Sequence, residues 1–415
     1  MTDTVQRNIW KMRRRAASVA LAFAILLGFG MVATQSARAQ TFTDFYNFRG
    51  GTNGAGPIGG LVGNAEGNFY GTTYLGGDLS CKHPYGCGTV FKISMTDKET
   101  VLYRFAKSGA DGAYPFGGVI RDTAGTLYGT THFGGAHYFG AVFKLSKTGK
   151  ETVLYSFKGP PDGNRPNGGV VQDAAGNLYG TTASGGAFGY GTVFKLSKTG
   201  TETVLHSFAG YPSDGATPLS TTLLMGTEGS LYGVTSEGGS GKAGCNDPSG
   251  CGVVYKLSKS GVMTVLHSFA GKPVDGCWPM GTPAMDKSGN LYGTANRCGS
   301  SDNGVVWKVS QQGTEIVLHN FGGDASDGTR PSAGVIIDLQ GNLYGSTFNG
   351  GDGQCSCGTI YELNNKGILT VLHTFDGSHG EFPVGSLMRD VQGTLFGITL
   401  AGGRYKAGTV WKLTP

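Results

Sequence analysis

The sequence predicts an all-β protein, a seven-bladed β-propeller of four-stranded antiparallel blades, and three observations carry that prediction. A phrase reading Gly-Asn-Leu-Tyr-Gly-Thr-Thr at Gly176–Thr182 returns in variants centred on Tyr70, Tyr128, Tyr179, Tyr232, Tyr292, Tyr344 and Phe396. The spacings are 58, 51, 53, 60, 52 and 52 residues, near the kelch-type period and above the WD40 period. Each repeat holds four short segments rich in β-branched and aromatic residues, and the segments at the two chain ends are permuted so that a ring can close.

The repeat over residues 169–208 serves as the template. Gly-Val-Val-Gln-Asp is followed by Ala-Ala-Gly, Asn-Leu-Tyr-Gly-Thr-Thr, a Gly-rich loop, Gly-Thr-Val-Phe-Lys-Leu, Ser-Lys-Thr-Gly and Glu-Thr-Val-Leu-His-Ser-Phe. The four β-rich segments read as strands and the junctions as tight turns; they are called A, B, C and D in chain order. No stretch after residue 39 keeps a 3.6-residue apolar period, and 75 glycines argue against long helices. Four antiparallel strands per unit, repeated in series, suit a propeller.

The ends fix the closure. D segments end at Phe48, Phe105, Phe157, Phe208, Phe269, Phe321 and Phe375, and the first precedes any A, B or C segment. The last repeat has A (386–390), B (394–399) and C (408–413) and then stops. The segment 42–48 is therefore expected to be the outer strand of the seventh blade, which leaves no wide sheet edge open. The C-strand aromatics Phe91, Phe143, Phe194, Tyr255, Trp307, Tyr361 and Trp411 are read as packing between blades. The D-strand series Tyr46, Tyr103, Tyr155, His206, His267, His319 and His373 is read in the same way, because one residue per blade should be too dispersed to form a metal set.

The first 39 residues stand apart. Lys11, Arg13, Arg14 and Arg15 precede an apolar run from Ala16 to Ala33, and Ala37-Arg38-Ala39 supplies a small-x-small pattern, so residues 1–39 are expected to be a secretory signal peptide and residues 40–415 a single propeller domain. The alternative is an uncleaved membrane anchor. Without this leader, the 33 basic and 28 acidic residues become 27 of each. A chain with no net charge has no global field for phosphate backbones or anionic lipids, so no nucleic-acid partner is expected. No membrane span is expected after cleavage, and no cofactor or metal.

A four-stranded meander places the A–B and C–D turns on one face and the B–C and D–A connections on the other. The first set is short and repetitive, as hairpins require. The second set varies in length, so a ligand is expected there. The D–A connections carry Asp-Gly-x-x-Pro at Asp111, Asp162, Asp214, Asp275 and Asp327, with Asn53-Gly54 and His379-Gly380 in the first and last copies, read as tight turns.

Cysteines occur on the same face. Eight allow 105 pairings, and the repeat alignment selects Cys81–Cys87, Cys245–Cys251 and Cys277–Cys298 as disulfides in an exported chain. Cys355 and Cys357, one residue apart, are left open between a strained bridge and a redox or metal pair.

The units Gly-Gly-Val-Val-x-Asp-x-x-Gly-Asn-Leu-Tyr-Gly-Thr-Thr, then Gly-Gly and Gly-Thr-Val-Phe-Lys-Leu, resemble the GloVer (Gloeo/Verruco) tandem repeat of exported bacterial proteins over nearly the whole chain after residue 39. The resemblance implies a secreted, periplasmic or surface-attached repeat protein. The C-terminal segment reads as a strand with no anchor.

Two functions are then weighed. One is an extracellular binding module for a polysaccharide or a protein, with Tyr114, His132, His137, Tyr138, Tyr190, Trp278, Arg330, Arg404 and Tyr405 as its neighbourhood, and with Tyr74, His83 and Tyr85 nearby. The other is a propeller-type hydrolase or lyase acting on extracellular polysaccharide, in which His132 and His137 would act with Asp111. No Gly-x-Ser-x-Gly or His-Glu-x-x-His motif supports the second, and no catalytic residue is assigned.

Overall fold

The computed structural model describes residues 40–81, 85–106, 111–219, 222–241, 244–245, 248–324, 326–351 and 355–415. The expected signal peptide and His83 lie outside them. Seven sheets built on the A-B-C-D order repeat along the chain as the blades of a β-propeller. Blade 3 shows the plan: A at Val171–Gln172, B at Leu178–Thr182, C at Thr192–Leu196 and D at Glu202–Ser207, each antiparallel to its neighbour. Blades 1 to 7 are those whose C strands hold Phe91, Phe143, Phe194, Tyr255, Trp307, Tyr361 and Trp411 respectively.

Blade 7 is completed from the other end of the chain. Its order is Glu381–Arg389, Leu395–Ala401, Thr409–Thr414 and then Thr41–Asn47. The amide of Phe48 donates to the Gly408 carbonyl at 3.0 Å, so the N-terminal strand closes the ring.

The repeated phrase can now be explained residue by residue. The Gly of Leu-Tyr-Gly lies under the C-strand aromatic; a Cβ on Gly293 would come within 2.3 Å of the Trp307 ring. In blades 2, 3, 5 and 6 the Tyr hydroxyl donates to the Asp that ends strand A, as Tyr179 does to Asp173 at 3.0 Å and Tyr292 to Asp286 at 3.0 Å. The first Thr donates to the innermost strand of the next blade, as Thr130 does to the Gly168 carbonyl at 2.7 Å. The second Thr shares a buried hydroxyl pair with strand C, as in Thr182 with Thr192 at 2.8 Å.

Blade packing repeats as well. Each D-strand Phe is fully buried and meets the next blade's C-strand aromatic edge to face, from Phe105 on Phe143 at 5.1 Å to Phe375 on Trp411 at 6.1 Å. Phe48 on Phe91 at 5.0 Å places the same contact between blades 7 and 1. Edge-to-face pairs of this kind add about 0.5–1.5 kcal/mol each beyond the area they bury. At the hub, neighbouring A strands approach so closely that a Cβ on Gly59 would fall 2.1 Å from the Gly118 amide nitrogen.

The Asp-Gly-x-x-Pro phrase differs from the expected simple turn. Its Gly-x step is strand: Gly112–Ala113 pairs with Phe133–Gly134, and Gly163–Asn164 with Ser184–Gly185. In blade 5 it merges into one long strand A, Gly276–Met285. The Asp is nevertheless what organises the corner, because Asp162 Oδ2 accepts from the Lys158 amide and Oδ1 from the Gly163 amide.

Candidate recognition site at the channel mouth

The A strands enclose a central cavity of about 200 Å³. Ile58, Phe116, Phe348 and Leu400 make an apolar sector of its wall, and Asn167 and Ser332 bring polar groups to it. All seven blades contribute to this wall.

Around the mouth lies a ring that the repeat builds at one position per blade. The residue before the Pro of Asp-Gly-x-x-Pro is Gly56, Tyr114, Arg165, Thr217, Trp278, Arg330 or Phe382. All seven have left-handed backbones, with φ from 53° to 61°. A residue before proline is normally driven to extended conformations, and left-handed non-glycine residues cost on the order of 1–3 kcal/mol.

Backbone bonds hold this geometry. Each ring amide donates at 2.8–3.0 Å to the carbonyl that precedes strand C of the previous blade: Ala407, Cys87, Phe139, Tyr190, Cys251, Asn303 and Cys357 in ring order. Ring carbonyls in turn accept from the end of strand B, as Tyr114 does from His132 and Arg330 from Phe348. The side chains take no part in these bonds and are free to differ.

Disulfides support the aromatic members. The structure joins Cys81–Cys87, Cys245–Cys251, Cys277–Cys298 and Cys355–Cys357, with Cα separations of 5.6, 5.5, 5.3 and 5.1 Å. Tyr114, Trp278 and Phe382 are the ring residues whose amides bond to a disulfide cysteine, and Cys277 also precedes Trp278.

The nine neighbourhood residues separate into two groups. Tyr114, Trp278 and Arg330 belong to the ring, and His132 stands beside it at the end of strand B. Tyr114 packs 5.1 Å from Tyr74, and Phe348 stacks on Phe382 at 4.7 Å. Arg297 lies over the Trp278 ring at 4.5 Å, and Arg165 over Phe133 at 5.6 Å. His137, Tyr138, Tyr190, Arg404 and Tyr405 lie instead on B–C loops. Those loops lean toward outer strands, where the Ala136 amide meets Ser156 and the Arg404 amide meets Asn47.

The acid–base set imagined for a hydrolase is engaged elsewhere. Asp111 accepts from the Tyr103 hydroxyl at 3.0 Å and from the Ala106 and Gly112 amides. His132 pairs with Asn167, and burial lowers its pKa, which favours neutral imidazole. His137 is exposed on a B–C loop. The D-strand histidines are dispersed one per blade, and His206, His267 and His319 each bond to an Asp of the next blade at 2.8, 3.0 and 3.1 Å.

Sequence reading missed Arg165, Phe116, Asn167 and Phe382. The available signal was positional, because the residues just before and after each phrase-ending Pro vary in chemistry while their frame repeats.

Fold and mouth together define a seven-bladed propeller of tandem repeats with a variable rim on an invariant backbone frame. The chain belongs to the Gloeobacter/Verrucomicrobia repeat family, which it matches over residues 27–160, 79–246 and 245–415. No curated protein sequence matches it. Among solved structures, the extracellular domain of a B. thetaiotaomicron protein described as a hybrid two-component system is similar at 12% identity and a TM-score of 0.56, over 90% of this chain and 41% of that one. A gluconolactonase of Xanthomonas campestris is similar at 15% identity and a TM-score of 0.40, over 70% of this chain and 82% of that one. At such identities the likeness concerns the fold alone. Among the described residues no helix is long and apolar enough to cross a membrane.

Proposed function

We propose that this chain is an exported binding module whose ligand, an extracellular polysaccharide, seats across the channel mouth. The observation that carries the reading is the ring of seven equivalent left-handed positions, which hold one backbone geometry and present Gly, Tyr, Arg, Thr, Trp, Arg and Phe. A frame that is costly to build and indifferent to its side chains suits recognition more than packing. The opposite face supplies the contrast: Asp173, Asp286 and Asp338 make the same turn bonds to Asn177, Asn290 and Asn342.

Aromatic rings offer large apolar faces at small entropy cost and suit the C–H faces of sugar rings. Guanidinium donors beside them suit hydroxyl and carboxylate oxygens. Four disulfides fit an oxidising compartment and support the export that the first 39 residues suggest. In this reading residues 40–415 act as one domain.

A glycan array probed with the wild-type chain, followed by titration of each bound glycan, tests the proposal. Tyr114→Ala, Trp278→Ala and Arg330→Ala are each expected to weaken binding at least tenfold, and Tyr138→Ala and Tyr405→Ala by less. A glycan whose affinity is unchanged by the three mouth substitutions but is lost in Asn177→Ala or Lys198→Ala would place recognition on the opposite face and refute the reading.

A further inference from the structure

The five blade junctions whose corner carries an Asp, those following blades 1 to 5, share one design, and one of the five departs from it. At each of them the D-strand Tyr or His bonds to the corner Asp of the next blade, and the first residue of that blade's D strand stands beside it. Where the first residue is Glu151 or Glu202, the facing residue is a tyrosine: Tyr103 donates to Asp111 and Tyr155 to Asp162. Where that residue is apolar, Met263 or Leu369, the facing residue is a histidine paired with one carboxylate, His206 with Asp214 or His319 with Asp327. Between blades 4 and 5, however, histidine and both carboxylates occur together as His267, Asp275 and Glu315.

We propose that His267, Asp275 and Glu315 form a binding site for a divalent first-row transition metal, of the zinc type, that clamps blade 4 to blade 5. One ligand atom from each residue lies within 4.8 Å of the other two. His267 Nε2 and Asp275 Oδ2 are 3.0 Å apart. Two cis ligands at metal distances of about 2.0–2.2 Å are separated by about 3.0–3.4 Å, so that pair already spans one edge of a coordination polyhedron. Glu315, whose ligand atom lies within 4.8 Å of both, must approach by up to about 1.4–1.8 Å to close the third edge.

A second observation concerns Glu315 itself. Its Oε1 is buried and has no hydrogen-bond partner, and the imidazole beside it directs Nε2 to Asp275. A metal ion would satisfy that oxygen, whereas no protein donor does. The glutamates at the tyrosine junctions have the same buried oxygen, but a phenol stands where this junction has an imidazole, and imidazole is the better ligand for zinc.

The other groups facing the site fit a structural clamp. Phe269 meets the His267 ring edge to face at 4.9 Å and fixes its plane. The Ala270 and Gly276 amides hold Asp275 at 2.9 and 2.6 Å. The three ligands come from strand D of blade 4, the corner leading into blade 5, and strand D of blade 5.

The test uses the full chain stripped with EDTA and titrated with zinc chloride by calorimetry, with melting recorded alongside. The wild type is expected to bind one zinc saturably and to melt higher when loaded. His267→Tyr recreates the arrangement of the tyrosine junctions and so should fold. It and Glu315→Gln are each expected to lose at least tenfold in affinity together with the melting shift. His319→Tyr should keep both. Absence of saturable binding in the wild type, or zinc binding that survives both His267→Tyr and Glu315→Gln, would overturn the proposal; if one variant misfolds, the other decides.

Discussion

Raising the pH from 4.5 to 7.5 is expected to loosen the blade junctions through the glutamates that begin three of the D strands. Glu151, Glu202 and Glu315 are half-buried. Lost hydration, reinforced by the charge of Asp111, Asp162 and Asp275 beside them, pushes each from its ordinary 4.5 up to about 7. Lys158 near Glu202 and His267 near Glu315 oppose that shift. An interval of this size corresponds to about 3 kcal/mol per carboxyl group at face value. Water still reaches the side chains, and screening brings the figure to about 1 kcal/mol each, or about 3 kcal/mol for the set.

The sign follows from linkage. The folded pKa exceeds the unfolded one, so the stability is fully present below pH 4.5 and is lost as pH rises through 7. With an unfolding entropy of about 2 cal/mol/K per residue over roughly 370 residues, 3 kcal/mol is worth about 4 °C in Tm. His373 acts with the opposite sign: burial beside Phe42 holds its pKa down at about 4, so stability is lost as pH falls from 6.5 through 4. The quantity to measure is therefore the Tm difference between Glu151→Gln/Glu202→Gln/Glu315→Gln and wild type, by scanning calorimetry in chelated buffer. That difference should move in favour of the variant by about 4 °C between pH 4.5 and 7.5. A difference that stays constant across the interval would refute the assignment of these glutamates.

Three further substitutions examine the packing. Gly293→Ala places a methyl 2.3 Å from the Trp307 ring and should cost about 1–3 kcal/mol; Gly323→Ala, whose methyl meets only the Asn320 carbonyl oxygen at 4.0 Å, should leave Tm unchanged, and equal effects would contradict the packing account. Phe48→Ala removes the fully buried ring that joins the N-terminal strand of blade 7 to Phe91 of blade 1. It should cost about 3–5 kcal/mol, and a Tm within 1 °C of wild type would contradict closure through this strand.

The fold was legible because the requirements of a blade are local and recur. Leu-Tyr-Gly-Thr-Thr encodes contacts that recur from blade to blade: a hydroxyl to the preceding Asp, space for a ring, a bond to the next blade and a buried hydroxyl pair. Each contact restricts residue type, so the sequence repeats where the structure does. The mouth was legible only in part for the opposite reason. Its ring is fixed by backbone bonds, such as Trp278 N to Cys251 O and Arg330 N to Asn303 O, and backbone bonds leave no mark on side-chain identity.

The ring's conformation was hidden further by the proline that follows each position. A bulky residue before proline argues for an extended backbone, yet Tyr114, Arg165, Trp278, Arg330 and Phe382 are all left-handed. The energy that overrides this preference comes from two bonds to other segments, one to the previous blade and one to strand B, which no local window of sequence contains. Cysteine placement was the indirect trace. Cys87, Cys251 and Cys357 supply the carbonyls under Tyr114, Trp278 and Phe382, so a disulfide in the B–C loop of one blade steadies an aromatic ring-residue on the next. The cysteines found in sequence as loop staples thus act across the blade boundary, on the large side chains of the rim where the proposed ligand would rest.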